Sequence, residues 1–169
     1  MAPPDPTARL TFREMTLADL EAMAALLGDP VVMAYYAQPK DRAEALAWIE
    51  WNQRLYREHG FGLWIVEERG SGQFIGDCGL TPQQVDGTTE IEVGYHVRAA
   101  LQRRGFATEA AAAARAYARD VLGLDRLVAL IHPDNVALQR VAEKIGLRLE
   151  RETTNSSGRP RRVYGGFLG

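Results

Sequence analysis

The hydrophobic and polar positions change period several times along the chain, and each change marks a predicted element. Residues 8–13 alternate between polar and apolar side chains, the period of a half-buried strand. Residues 61–67 and 73–80 are apolar runs separated by the turn sequence Arg-Gly-Ser-Gly, so they predict a hairpin. Further strands are expected at 89–97, 126–131, 147–153 and 162–167.

Four segments have the spacing of amphipathic helices. In the first, which begins at the capping residue Thr16, Leu17 and Leu27 share one apolar stripe. The third is dominated by alanine and contains no proline, so it favours a helix whose flat face lies close on a sheet. Glycine ends the first, second and fourth segments. The helices are expected at 16–27, 41–59, 105–122 and 135–145.

The resulting order is β-α-α-β-β-β-α-β-α-β-β, which predicts an α/β (α+β) fold with one mixed sheet. A chain of 169 residues that is 46% hydrophobic can bury one sizeable core. No repeat or long linker divides it, so residues 8–169 are expected to form a single domain. The proline-rich residues 1–7 are expected to be a mobile tail.

Composition narrows the function classes. A net charge of −2 gives no broad basic surface for nucleic acid. A single cysteine excludes an internal disulfide and a cysteine-based zinc cluster, and no metal is expected. The chain starts without a secretory signal, and no apolar run approaches the ~20 residues that cross a bilayer. These observations favour a cytoplasmic protein that binds neither nucleic acid nor membrane.

The segment that joins the strand 89–97 to the alanine-rich helix carries the clearest chemical signal. A helix N-terminus presents unpaired backbone N–H groups, and phosphate binds there readily. Gly105 allows close approach of the backbone to a ligand, and the two arginines before it can pair with phosphate oxygens. The segment matches neither a P-loop nor a G-x-G-x-x-G fingerprint. The candidate cofactor-binding residues are Gln102, Arg103, Arg104, Gly105, Phe106, Ala107 and Thr108.

A second motif begins about thirty residues later, where the strand 126–131 leads into the last helix. The first motif reads Gln-x-x-Gly-x-Ala at Gln102, Gly105 and Ala107. The second has Asn135, Arg140, Val141, Glu143, Lys144 and Gly146 at fixed spacing. Together they resemble the GNAT acetyltransferases, specifically the subgroup like the bacterial RimJ and RimL ribosomal-protein acetyltransferases. The resemblance extends over residues 10–167, and the order of elements agrees with it.

The resemblance implies a GNAT-like acyl-CoA N-acyltransferase fold, with acetyl-CoA as the co-substrate. Its central mixed sheet would be splayed between the two parallel strands that end near Val97 and His132. Pantetheine would lie in this opening, and the pyrophosphate would sit on the amides of residues 103–108. The implied cofactor contacts outside that loop are His96, Val97, Asn135 and Arg140.

The reaction implied by the resemblance is direct attack of a primary amine on the thioester in a ternary complex. Glu92 is the candidate base, because relatives carry an acidic residue that points toward the acceptor just before the Val-Gly-Tyr stretch. It could equally be an outward-facing strand carboxylate. His96 is a second catalytic candidate because histidine titrates in the useful range, although it could simply pack beside the cofactor.

The proton donor for the departing thiolate is the unexplained part of the site. Relatives use a tyrosine or the serine of the second motif, and these positions are Ala142 and Leu138 here. Another hydroxyl or water could serve, protonation could be undemanding, or the protein could bind acyl-CoA without turnover. Cys78 has no adjacent histidine to activate it, so a buried hydrophobic role is favoured over a covalent one.

A protein N-terminal α-amine is the favoured acceptor, because its deprotonation at pH 7 costs only about 1 kcal/mol against about 4.6 for lysine. Tyr35 and Tyr36 are the candidate substrate-binding residues. A small-molecule amine acetyltransferase (antibiotic, amino acid or polyamine) is the alternative, which a strongly acidic cleft around Asp29, Asp41 and Glu44 would favour. A non-catalytic acyl-CoA-binding regulatory module is the alternative of another class. The oligomeric state stays open, a homodimer included.

Overall fold

The computed structural model describes residues 2–169, which form a seven-stranded mixed sheet with helices on both faces. The predicted α/β class and the predicted order of elements are both confirmed. The strands are β1 (Leu10–Arg13), β2 (Leu63–Glu68), β3 (Phe74–Val85), β4 (Thr88–Val97), β5 (Arg126–Ile131), β6 (Arg148–Thr154) and β7 (Pro160–Phe167). The helices are α1 (Leu20–Leu27), α2 (Arg42–His59), α3 (Phe106–Asp120) and α4 (Val136–Lys144).

The first helix begins differently from the sequence prediction. Thr16 caps a short 3-10 turn, Leu17–Asp19, and α1 starts only after it. Leu17 is 60% exposed, so its predicted place on the buried stripe is wrong. The physical reason is that a 3-10 turn has three residues per turn and does not keep the angular spacing of the α-helix that follows.

β3 also runs further than predicted, to Val85 instead of residue 80. Asp86 and Gly87 both have positive φ, at 50° and 81°, and this tight turn folds β3 back on β4 over its full length. The tip of the hairpin is held from β6, where Arg151 and Thr153 donate hydrogen bonds to the Asp86 carboxylate at 2.9 and 2.6 Å. The hairpin therefore reaches across towards the C-terminal strands.

The sheet has the order β1-β2-β3-β4-β5-β7-β6, and β4 and β5 are its parallel neighbours. Every other pair of adjacent strands is antiparallel. Within residues 2–169, the ladder between β4 and β5 contains the single pair Glu92 and Val128. The two strands therefore separate beyond that pair, which confirms the expected splay.

Alternation along the strands assigns the helices to opposite faces of the sheet. Trp64 of β2 packs edge-on against Tyr117 of α3, with ring centroids 5.1 Å apart. The predicted alanine face of α3 is buried here and contacts β3 and β4. On the opposite face, Trp48 of α2 donates a hydrogen bond to Asp77 of β3. Because Glu92 and His96 have the same parity on β4, both lie on the face covered by α2.

The N-terminal segment contacts α3. Pro4 is buried, and the Ala2 carbonyl accepts a hydrogen bond from the Tyr117 hydroxyl at 2.8 Å. Residue 1 of the proposed tail lies outside the described residues, and the mobility of the segment stays a prediction. No helix in the described part of the chain is both long and apolar enough to cross a membrane.

Candidate active site

Glu92 lies where β4 and β5 begin to separate. Its Oε2 accepts a hydrogen bond from the backbone N–H of Leu130 at 3.1 Å, so a side chain of β4 bonds this N–H where the β4–β5 ladder has no backbone pair, while Leu130 itself pairs with Val163 of β7. Burial raises the pKa of the Glu92 carboxyl to about 7, although the Leu130 N–H, His96 and Arg161 act in the opposite direction. A carboxyl with this pKa exchanges protons near neutrality.

The loop that leads into α3 presents free backbone donors. Arg103 and Gly105 have positive φ of 65° and 82°, and Gly105 is the N-cap without a side-chain hydrogen bond. Within residues 2–169, no protein group accepts a hydrogen bond from the amides of residues 103–108. The side chains of Arg103 and Arg104 are exposed. This arrangement leaves a cluster of amides and two guanidinium groups available to an anion.

Two of the predicted loop residues have contacts within the protein. The Gln102 side-chain amide donates to the Val97 carbonyl at 3.0 Å, which joins the loop to the end of β4. The Phe106 side chain is buried in the core, so only its main chain is available to a ligand. Ala107 and Thr108 are half-buried in the first turn of α3. Residues 102–108 form one continuous loop and helix start after β4, and their contact with a cofactor stays a prediction.

Arg9 supports this loop from the start of β1, and sequence reasoning missed it. Its Nη1 donates to the Arg104 carbonyl at 2.9 Å, and its Nε lies 3.3 Å from a Glu109 carboxylate oxygen. The guanidinium also stands 4.4 Å from the centroid of the Phe106 ring. Arg9 is 95 residues from Arg104 in sequence, so no local pattern could have indicated the contact.

The turn between β5 and α4 is held by a buried glutamine that the sequence did not indicate either. Gln139 is 7% exposed, and its amide donates to the carbonyls of His132 and Pro133 at 3.1 and 2.8 Å. Its oxygen accepts from Arg162 and Tyr164, both at 3.1 Å. All hydrogen-bonding groups of this side chain are therefore used to fix the turn against β7.

The two cofactor candidates of the second motif lie beside this turn. Asn135 caps α4, because its Oδ1 accepts from the Leu138 N–H at 3.2 Å. Arg140 is exposed on α4. Asn135 therefore has a structural role in addition to the predicted contact with pantetheine.

On the face covered by α2, four side chains form a continuous hydrogen-bonded chain. The His96 Nδ1 lies 2.7 Å from Asp77 Oδ1, and its Nε2 lies 2.7 Å from the Tyr36 hydroxyl. The Trp48 indole N–H donates to the other Asp77 oxygen at 3.1 Å. Asp77 and His96 are buried, at 1% and 7% exposure, whereas Tyr36 is 41% exposed. Sequence reasoning selected Tyr36 and His96 separately and missed Asp77.

Tyr35 lies next to this chain on the turn between α1 and α2. Its ring centroid is 5.2 Å from that of His132, and its carbonyl accepts from Arg161 at 3.4 Å. Burial lowers the pKa of Arg161, which interacts electrostatically with both Tyr36 and Glu92. The structure thus brings Tyr36 against His96 and within electrostatic range of Glu92, whereas Tyr35 contacts His132 and Arg161.

The positions that supply a proton donor in relatives are apolar here, as the sequence shows. Ala142 is fully buried, and the Leu138 carbonyl accepts from the Tyr95 hydroxyl at 3.3 Å. Cys78 is buried, and burial raises the pKa of its thiol well above the usual value. A protonated buried thiol is a poor nucleophile, which agrees with the hydrophobic role favoured for Cys78.

The acidic residues considered for a cationic cleft also accept hydrogen bonds from the backbone. The Asp41 and Glu44 carboxylates form a capping box at the start of α2. Asp29 accepts from the Val31 N–H at 2.8 Å. In the described part of the chain, no group of three or more histidine, cysteine, aspartate or glutamate side chains could hold a metal ion.

The splayed parallel strands, with an open amide loop at one end and a titratable carboxyl between them, define an acyl-CoA-dependent acyltransferase. A family model described as an acetyltransferase (GNAT) domain matches residues 9–148. The chain therefore belongs to the GNAT acetyltransferase family.

Known proteins agree with this assignment. The chain is 38% identical to YkkB of Bacillus subtilis (strain 168) over 159 residues, which are 94% of this chain and 92% of the relative. It is 30% identical to the N-acetyltransferase YoaA of the same organism over 146 residues, covering 85% and 82% of the two chains. The crystal structure of an acetyltransferase from Agrobacterium tumefaciens str. C58 superposes with a TM-score of 0.85 at 27% identity, covering 98% and 95%.

Proposed function

We propose that this protein transfers an acetyl group from acetyl-CoA to the α-amine of a protein N-terminus, by direct attack of the amine in a ternary complex. The co-substrate supplies the acetyl group as an activated thioester. The amides of residues 103–108 and the arginines beside them fit a diphosphate, since they have no acceptor among the described residues. The unpaired edge of β4 around His96 and Val97 fits the amide groups of pantetheine. Asn135 and Arg140 complete the proposed cofactor contacts.

The observation that carries the choice of acceptor is the pKa of Glu92, which burial raises to about 7. An α-amine has a pKa near 7.8, so moving its proton to such a carboxyl costs about 1 kcal/mol. A lysine or polyamine amine near 10.4 would cost about 4.6 kcal/mol. Glu92, acting through water, is therefore matched to an α-amine and poorly matched to a more basic one.

The charges around the cleft support the same acceptor. Arg161 lies close enough to Glu92 and Tyr36 to interact electrostatically with both. Lys40 stands 5.4 Å from the ring centroid of Trp48 on the same face. The carboxylates of Asp41 and Glu44 are held in helix caps. Arg161 and Lys40 favour a peptide N-terminus, which carries a single positive charge, over a polyamine, which carries several.

The proposal takes the form of a RimJ- or RimL-like activity on a protein in the cytoplasm. Its support is the pair of motifs, at residues 102–107 and 135–146, now seen at the two sides of the β4–β5 opening. These motifs favour the subgroup, and the pKa of Glu92 favours the kind of amine. Screening of peptide libraries would identify the target protein.

The test is a panel of acceptors assayed for release of the coenzyme A thiol, with mass spectrometry of the acceptor. Each peptide contains one internal lysine and is supplied in two forms. One form has a free N-terminus, and the matched control has an acetylated N-terminus. Spermidine represents the polyamines. We expect turnover only with free N-termini. Turnover of the blocked peptides or of spermidine would contradict the α-amine proposal, and binding of coenzyme A without any turnover would favour the acyl-CoA-binding module.

A further inference from the structure

The reaction has to move two protons, and Glu92 accounts for one of them. The first must leave the ammonium form of the acceptor before attack. The second is on the amine nitrogen when the N–C bond forms, and the departing thiolate must gain one when the C–S bond breaks. Neither Leu138 nor Ala142 can handle the second proton. Another hydroxyl near the acceptor, or water, therefore has to do so.

The hydrogen bonds around His96 define which way protons can move. Asp77 accepts from Trp48 on one oxygen and lies 2.7 Å from His96 Nδ1 with the other, an arrangement that suits an ionised carboxylate. The Nδ1 of His96 then carries the proton, and its Nε2 is left to accept from the Tyr36 hydroxyl at 2.7 Å. This leaves the lone pairs of the Tyr36 oxygen free to accept a proton from another molecule.

Tyr36 connects the buried pair of Asp77 and His96 to the protein surface. Asp77 and His96 are enclosed, whereas 41% of Tyr36 is exposed. A tyrosine hydroxyl has an ordinary pKa of about 10. The hydroxyl is therefore protonated at neutral pH and can donate to His96. A hydroxyl (Tyr36), a base (His96) and an orienting carboxylate (Asp77) follow one another in the same order as in a catalytic triad.

We propose that Tyr36, His96 and Asp77 form a proton relay that takes the second proton from the amine nitrogen and returns it to the thiolate. The proposal rests on the acetyl transfer to an amine proposed above. As the N–C bond forms, the amine proton passes to the Tyr36 oxygen while the Tyr36 proton passes to His96 Nε2. As the C–S bond breaks, His96 returns its proton to Tyr36, and Tyr36 gives one to sulfur. The relay ends as it began, and no other reactant is consumed.

Two other groups near the site do not fit this role. The Tyr95 hydroxyl donates to the Leu138 carbonyl at 3.3 Å and lies on the opposite face of β4 from His96. The Cys78 thiol is buried and pairs in register with Tyr95, also away from His96. Only Tyr36, among these hydroxyl and thiol groups, joins an exposed surface to a buried base and its carboxylate.

The first arm of the test is independent of turnover. Nitrogen-15 NMR of the ligand-free protein reports which nitrogen of His96 is protonated. We expect the Nδ1–H form in the wild type. In Asp77→Asn, the Trp48 N–H donates to the Asn oxygen, so the Asn amide faces Nδ1 and the proton moves to Nε2. Tyr36→Phe leaves Asp77 intact and shifts the Nε2 resonance alone, which keeps this arm decisive should Asp77→Asn not fold.

The second arm is kinetic and uses an acceptor that the panel has shown to be acetylated. Tyr36→Phe keeps the ring and loses the hydroxyl, so kcat should fall about 100-fold, the usual scale for a lost acid–base group. The KM for acetyl-CoA should not change. Tyr117→Phe is the matched control, because its hydroxyl donates to Ala2 beside α3, and it should retain the wild-type rate within about twofold.

The outcomes separate this inference from the function beneath it. If no amine is acetylated, both are overturned. If the wild type acetylates an amine and Tyr36→Phe does so at a similar rate, the relay is overturned and the acetyltransferase stands. An Nε2–H form of His96 in the wild type would also overturn the relay, since Tyr36 would then have no base to receive its proton.

Discussion

The Glu92 carboxylate accepts a hydrogen bond from the Leu130 backbone N–H at 3.1 Å, across the opening between β4 and β5. The same side chain thus compensates for a missing strand contact and titrates near pH 7. Both properties come from its position, because the separating strands leave the Leu130 N–H without a backbone partner on β4 and because burial disfavours the ionised carboxyl. The catalytic role of Glu92 and the effect of its burial on stability can be tested separately.

The pH dependence of the rate tests the chemistry. If Glu92 is the base, kcat should fall below about pH 7, where its carboxyl is protonated. In Glu92→Gln this dependence should disappear and kcat should fall by about 100-fold, while the affinity for coenzyme A is retained. Glu90→Gln, two residues away on β4 and paired with Arg126, is the control that should keep the wild-type profile. An unchanged profile in Glu92→Gln would rule out this base.

The pH dependence of stability tests the burial. The folded state raises the pKa of Glu92 from 4.5 to about 7, so it binds this proton more tightly than the unfolded state. The contribution is fully present below pH 4.5 and is lost as the pH rises towards 7. Glu92→Gln removes the titration but keeps an acceptor for Leu130. Relative to wild type, the variant should therefore gain stability between pH 4.5 and 7, measured by urea unfolding at each pH. A constant difference would contradict the raised pKa.

Gly105→Ala tests the anion loop. Gly105 has φ of 82°, where an L-residue costs about 1–2 kcal/mol, and the new Cβ would lie 3.3 Å from the Arg9 guanidinium. Because the backbone at residue 105 would be strained and the Arg9 guanidinium that supports the loop would have to give way, the affinity for coenzyme A should fall at least tenfold by calorimetry. Gly123→Ala carries a similar strain at φ of 65°, has no neighbour within 4 Å and lies outside the loop. It should lose stability but keep its affinity; equal affinity losses in both variants would contradict the loop's role.

Gln139→Leu tests the support of the β5–α4 turn. Leucine has a similar volume but cannot donate to the carbonyls of His132 and Pro133. It also leaves the donors of Arg162 and Tyr164 without the glutamine oxygen that accepts from them. The free energy of unfolding should fall by about 2–3 kcal/mol, and the affinity for coenzyme A should fall with it. Gln84→Leu, at an exposed glutamine, should change stability by less than about 0.5 kcal/mol. A neutral Gln139→Leu would show that the turn needs no such support.

The elements could be predicted because their signals are local. The alanine face of α3 and the apolar period of α2 lie within single segments, and both are buried as expected. The exception is Leu17, where a 3-10 turn changes the angular spacing that the prediction assumed. Local periodicity can indicate a helix, but it does not show which kind of turn begins it.

The candidate site was predicted only in the parts that a motif records. Glu92, Gly105 and Asn135 stand at motif positions, and the structure places them around one opening. Asp77 and Arg9 belong to no motif, and their partners are 19 and 95 residues away. Such pairings depend on how strands and helices are assembled. They have no fixed spacing in the sequence, so a single sequence does not indicate them.

The interrupted ladder between β4 and β5 has a consequence for the cohesion of the molecule. Along this seam β4 and β5 share one residue pair, the Glu92 side chain and the ion pair of Glu90 with Arg126, and the tip of the β3–β4 hairpin is also bonded to β6 through Asp86. An amide-bearing arm laid into the seam would act as an additional strand, and at a hundred times its dissociation constant it would add about 2.7 kcal/mol to the folded state. A shortage of acetyl-CoA would therefore both stop turnover and lower the stability of the sheet.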